Sequence, residues 1–307
     1  MPANISSFFH AATGTWTHVA SDPSTHEAAV IDPVLDFDPV NGRIGTEAAR
    51  AVLDHLHAQG LRAKWILETH AHADHLTAAA WLRAQTGAPL AAGAGIVEVQ
   101  AGFKRRLGLG EEFVADGSAF DRLLHDGDAL PLGELTIEVL ATPGHTADGV
   151  SYRIGEAVFI GDTLFSPTAG TARCDFPGGS AAALHASVRR LYALPGDTQL
   201  YLCHDYPAAG AAPRDRVSVH EQRESNIHLS AGTAEADFVA LRERRDATLS
   251  LPRLFWPSLQ VNIRAGELPP VDGEGRRFLK LPLDARAVDT AIGRFLRNAL
   301  DSGMPVS

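Results

Sequence analysis

An apolar run, Trp65-Ile66-Leu67, passes directly into Glu68-Thr69-His70-Ala71-His72-Ala73-Asp74-His75, which packs three imidazoles and a carboxylate into six residues. Alternate residues of an extended segment point the same way, so His70 and His72 can address one point. Asp74 and His75 follow as the backbone turns, before Leu76-Thr77-Ala78-Ala79, where the pattern predicts a helix start. Imidazole and carboxylate together suit Zn, Mn or non-haem Fe. A chain carrying such a segment needs a strand to deliver it and a rigid scaffold to gather its donors.

The remaining composition is that of a soluble globular protein: 307 residues, 45% hydrophobic and 21% charged. This length allows one large domain, or a large domain with an appendage. A net charge of -10 disfavours a nucleic-acid partner, and the one compact basic run, Lys104-Arg105-Arg106, reads as a solvated face. The start, Met1-Pro2-Ala3-Asn4-Ile5-Ser6, lacks a secretory pattern, and no apolar stretch has the length of a membrane span. Cys174 and Cys203 could pair but do not read as a disulfide scaffold. The expectation is a cytoplasmic protein with no membrane partner.

Periodicity predicts strands at 16–20 and 27–32, a helix over 46–59 stopped by Gly60, and the strand 62–67. A helix over 76–85 and a strand near 89–92 follow. Alternation then predicts strands at 135–140 and 150–154, and an apolar strand at 157–160. A helix spans 180–194 and a strand 198–203. This order implies two sheets with helices outside, an α/β sandwich rather than a doubly wound sheet. Residues 1–206 form the expected catalytic domain. Residues 207–307 form a mostly helical C-terminal subdomain, with helices at 220–226, 234–249 and 289–300.

Three more candidates close apolar strands or the turns after them: His145 after Thr142-Pro143-Gly144, Asp162 after Ile160-Gly161, and His204 after Leu202-Cys203. Singly, each could be a turn residue, a cap or a core histidine. Together, the order His70-x-His72-x-Asp74-His75, His145, Asp162, His204 resembles the metallo-β-lactamase superfamily over about residues 13 to 206. That resemblance implies an αββα sandwich with a metal site at one edge, and a supporting role for Asp32 beneath the histidine loop. Members with all positions filled often hold two metals: His70, His72 and His145 on one, Asp74, His75 and His204 on the other, Asp162 between. Glyoxalase II, a thioester hydrolase with a helical C-terminal extension, is similar to this plan.

Thr171-Ala172-Arg173-Cys174-Asp175-Phe176, His204-Asp205-Tyr206 and Asn262-Ile263-Arg264 look more narrowly like the persulfide dioxygenases. Phe176-Pro177-Gly178-Gly179 and Pro257-Ser258-Leu259-Gln260-Val261-Asn262 resemble their bacterial branch, described as β-lactamase-like hydrolases. The resemblance implies one Fe(II) per chain on His70, His145 and Asp162, a two-histidine, one-carboxylate triad. His72, Asp74, His75 and His204 then surround the centre, and His75, His204 and Tyr206 take catalytic roles in proton handling. Arg173, Tyr206 and Arg264 are expected at the thiol substrate, although Arg173 could instead pair with Asp175. Ala265 stands where animal members carry a cysteine. The expected reaction is oxidation of glutathione persulfide, or a similar small persulfide, by O2 to sulfite and free thiol. The alternative is a dinuclear thioester hydrolase of the glyoxalase II type with two Zn or mixed metals. Helical C-terminal surfaces make a homodimer an expectation as well.

Overall fold

The computed structural model of the chain describes residues 2–207 and 210–283. The expected helix over 289–300 lies outside the described residues.

Two six-stranded sheets form the centre. The first runs in the order Asn4–His10, Thr15–Ser21, Glu27–Ile31, Arg62–Leu67, Leu90–Gly93, Arg122–Leu124. The second runs Ala129–Leu132, Leu135–Ala141, Val150–Ile154, Ala157–Phe159, Gln199–Tyr201, Arg216–Ser218. The last strand of the second sheet, Arg216–Ser218, therefore comes from beyond residue 206.

Strand alternation sorts the side chains into layers. Ala29, Ile31 and Leu67 of the first sheet face Ile137, Val139, Tyr152 and Phe159 of the second, making the inter-sheet core. Their neighbours Ala28, Val30 and Ile66 face outward, onto Val52 and Leu56 of the helix Glu47–Ala58 and Val99 and Phe103 of Ile96–Leu107. Phe255 and Leu259, from the late helix Phe255–Asn262, join this same layer. On the far side, Leu184, Val188 and Leu191 of Ala181–Tyr192 cover the second sheet together with Phe238 of Glu235–Asp246. Ser180 starts the former helix by accepting the Ala183 N–H at 3.2 Å. The result is the expected αββα sandwich, with helices from the C-terminal third in both outer layers.

Parallel pairing places chemistry at one edge. Glu27–Ile31, Arg62–Leu67 and Leu90–Gly93 are parallel neighbours, and so are Ala157–Phe159 and Gln199–Tyr201. Asp32, the histidine loop, Asp162 and His204 all follow the C-terminal ends of these strands. An isolated bridge between Thr15 and His204 ties the sheets together there, with Trp16 N–H donating to Cys203 O at 2.7 Å. Leu76–Thr77, expected as helix, is a two-residue strand on Val34–Asp38, and the helix begins at Ala79. Both cysteines are buried free thiols.

Candidate metal centre

Asp32 adopts a left-handed backbone (φ 50), a conformation that Asp tolerates better than most residues. Its carboxylate accepts Thr69 N–H and Thr69 Oγ1–H, each at 2.8 Å, and His72 Nε2 at 3.0 Å. This fixes the proton inventory of the loop. The only hydroxyl proton of Thr69 goes to Asp32, so Thr69 Oγ1 accepts from His70 Nδ1–H at 3.0 Å. His70 Nε2 is left as a bare lone pair. His145 reaches the same state by donating Nδ1–H to Arg173 O at 2.7 Å, and His204 by facing Gly14 O through Nδ1 at 3.2 Å. His72 is reversed: Nε2 faces Asp32 and Glu68 (3.3 Å), which frees Nδ1.

Six buried atoms at this edge have no hydrogen-bond partner: His70 Nε2, His72 Nδ1, Asp74 Oδ2, His75 Nε2, Asp162 Oδ1 and His204 Nε2. Buried polar atoms are ordinarily satisfied, and so many convergent lone pairs fit a cation. His70, His145 and Asp162 form one set with donor atoms within 4.8 Å of one another; His72, Asp74, His75 and His204 form another. Asp162 Oδ2 lies 3.8 Å from His70 Nε2 and 3.7 Å from His145 Nε2, while Oδ1 lies 3.4 Å from His204 Nε2. Burial depresses the pKa of His70 well below the ordinary value, and neighbouring imidazoles add to this. Burial likewise takes His75 down to about 4. Burial acts on His72 and His204 in the same direction, but the carboxylates facing them outweigh it and raise both well above the ordinary value, so a cation bound there would displace their protons.

Several supports leave little trace in the sequence. Glu68 braces His72 and accepts the Thr77 hydroxyl, and Asp148 accepts Ala71 N–H at 2.7 Å. Asn262, far along the chain, donates to His72 O and His75 O, each at 2.8 Å, and accepts Thr77 N–H at 2.9 Å. Gly144 (φ 137) leads into His145 where a Cβ would lie 2.2 Å from Leu184 N. Only glycine fits that approach.

Two cavities open on the centre and share Asp74 and Tyr206 as wall. One, of about 500 Å³, reaches His75. The other, of about 330 Å³, reaches His145 and Asp162. Tyr206 is 61% exposed, and its ring lies parallel to His204 at 5.9 Å. Arg173 lines the smaller cavity, but its guanidinium is spent internally, on Asp175 at 2.6 and 2.7 Å and on Ser250 O at 2.6 Å. Arg264, expected at the thiol substrate, lies away from both cavities. It stacks on Phe113 at 4.7 Å and donates to Gln260 O at 2.6 Å. The Asn-x-Arg element serves the centre through Asn262 instead.

Behind the smaller cavity, buried Arg242 pairs with Asp246, whose other oxygen accepts Cys174 N–H at 2.8 Å. His228 Nδ1 accepts Thr171 N–H at 2.9 Å. Burial, then the charge of Arg242, lowers the His228 pKa from 6.5 to about 4. Between those values the unfolded chain binds more protons, so this contribution to stability is present above pH 6.5 and lost as pH falls towards 4. Melting temperature is expected to fall less steeply over that interval in His228→Gln than in the wild type. Equal slopes would remove His228 from this role.

The sequence profile of the metallo-beta-lactamase superfamily matches residues 24–204. The chain belongs to the metallo-β-lactamase superfamily. It is 46% identical over 291 residues to a probable metallo-hydrolase of Burkholderia pseudomallei, covering 92% of this chain and 99% of that one. It is 48% identical to a beta-lactamase hydrolase-like protein of Agrobacterium fabrum, spanning 92% of this chain but 65% of that protein's length. Glyoxylase B2 of Dictyostelium discoideum is 42% identical, with 92% and 97% covered. Among solved structures, ETHE1 from Myxococcus xanthus matches with a TM-score of 0.69 and 30% identity, over 86% of this chain and all of that one. No helix among the described residues is long and apolar enough to cross a membrane.

Proposed function

We propose that this chain oxidises a low-molecular-weight persulfide with dioxygen, using one non-haem Fe(II) held by His70, His145 and Asp162. The observation that carries this reading is the grouping of donors. His70, His145 and Asp162 stand together as a two-histidine, one-carboxylate set, and His72 groups with Asp74, His75 and His204 instead. The likeness to the Myxococcus ETHE1 structure supports the same reading. The overall change is RSSH + O2 + H2O → RSH + SO3²⁻ + 2H⁺, in which the outer sulfur gives four electrons to dioxygen.

Iron, when bound, supplies the redox chemistry that zinc lacks. The protein's part is to position and to exclude water. Thr69 Oγ1 and Arg173 O hold two imidazoles with Nε2 towards the centre. Phe165 and Phe176 line the cavity beside it. Asp74 lies 3.3 Å from His204 Nε2, a pairing suited to passing the reaction's protons outward beneath the Tyr206 ring.

A dinuclear thioester hydrolase is the second reading. It draws on Asp162, whose two oxygens face different donor sets, and on the likeness to Glyoxylase B2. Oxygen uptake on adding glutathione persulfide, set against cleavage of a glutathione thioester, separates the two. Thioester cleavage without oxygen uptake would overturn the dioxygenase.

A further inference from the structure

The turn between Asn4–His10 and Thr15–Ser21 is seated against the centre. Gly14 O accepts Asp205 N–H at 3.0 Å, and a Cβ on Gly14 (φ 68) would lie 2.9 Å from the Tyr206 ring. This seat brings Thr15 Oγ1 to 3.3 Å from His204 Nδ1 and 3.5 Å from His75 Nδ1. Thr13 Oγ1 lies 2.7 Å from Thr15 Oγ1, and His10 Nδ1 lies 2.7 Å beyond Thr13. His10 Nε2 ends the row, 3.3 Å from Asp36 Oδ1. Thr15 is buried, whereas Thr13, His10 and Asp36 line the larger cavity. The row therefore runs from the donor sets to open space.

Its two ends dictate one arrangement of hydrogens. Gly14 O can only accept, so His204 Nδ1, 3.2 Å away, carries a proton. Asp36 can only accept, so a neutral His10 holds its proton on Nε2 and offers Nδ1 as a lone pair. Thr13 then donates to His10 and Thr15 to Thr13, which leaves the Thr15 lone pairs for the ring N–H groups. Every link points outward.

We propose that Thr15, Thr13 and His10 form a proton relay from the centre to the larger cavity. One passage moves one proton and oxidises nothing. Nε2 of His204 or His75 takes up a proton, and the same ring gives its Nδ1 proton to Thr15. Each hydroxyl passes its own proton on, and His10 Nε2 releases one to Asp36 or to water. The proposal rests on the mononuclear dioxygenase reading, which leaves both Nε2 atoms outside the ligand set to collect the protons that sulfite formation releases.

Two measurements test it. Long-range proton–nitrogen correlation NMR of the zinc-loaded full chain reads the His10 tautomer, and the Nε2–H form is expected. In persulfide-dependent oxygen uptake, His10→Ala should lower kcat about tenfold with KM unchanged, because water replaces a positioned base only in part. Added 2,6-lutidine, a base too hindered to ligate a metal, should restore His10→Ala and leave the wild type unaffected. Thr13→Val should show the same loss and Thr13→Ser should not. An Nδ1–H tautomer, a wild-type kcat in His10→Ala, a loss that lutidine does not relieve, or equal losses in Thr13→Ser and Thr13→Val would each overturn the relay. Wild-type protein without oxygen uptake overturns the dioxygenase, and the His10 tautomer still decides the relay.

Discussion

Alanine at His70, His145 or Asp162 is expected to abolish iron retention and turnover together. Tightly held metal in a four-ligand site is worth about 10–16 kcal/mol, so one ligand accounts for roughly 3 kcal/mol, or about a hundredfold in affinity. Losing one of three ligands leaves little at ordinary metal concentrations. The informative companion is His72→Ala. His72 offers an unpartnered Nδ1 but groups with Asp74, His75 and His204 rather than with the triad. A mononuclear centre on the triad keeps its iron in His72→Ala; a dinuclear one loses metal. Metal analysis of the four variants reads this directly. Full iron content in His145→Ala would sink the triad assignment.

The second large effect is expected at Asn262, which touches none of the donor atoms. Its amide holds two carbonyls of the histidine loop and one N–H of Thr77. Asn262→Ala strands all three in a buried setting. At about 1–3 kcal/mol for each unmet group, with water recovering part, the loss is about 2–5 kcal/mol. Loosening the loop should also weaken metal binding by about 10–100-fold. Arg264→Gln provides the contrast. It gives up a stacking contact with Phe113 worth about 0.5–1 kcal/mol and should leave metal affinity alone. Thermal melts and metal titrations of both variants decide the matter. An Asn262→Ala protein that melts and binds metal as the wild type does would remove Asn262 from the centre's support.

These two neighbours also mark how far the sequence could be read. Apolar strands ending in His, Asp or Gly announced themselves by alternation and by the chemistry at their ends. Asp32, the histidine loop, His145, Asp162 and His204 accordingly meet at one edge. Asn262 did not announce itself, because its partners are backbone carbonyls and a peptide N–H, which every residue has. Motif likeness pointed to Arg264, two residues on, instead. For Arg173 the local alternative was legible, since Asp175 two residues on takes its fork; only the return of Ser250 O to its remaining N–H group has no local signal.

Tertiary context explains most of the fold differences too. Leu76–Thr77 is a strand because Val34 and Leu35 are there to pair with it. Asn4–His10 lacks a clean alternation, being an edge strand that owes its form to Thr15–Ser21. The helix Ile96–Leu107 is missing from the expected elements, although Ile96, Val99, Phe103 and Leu107 share one buried stripe. That spacing is the signal that could have found it.

The most direct test of the account is metal content on anaerobically purified protein, paired with oxygen consumption after glutathione persulfide is added. About one iron per chain, set by a single facial triad, is expected, with uptake that depends on the persulfide. About two zinc per chain with no oxygen uptake would contradict it and make this centre a hydrolase.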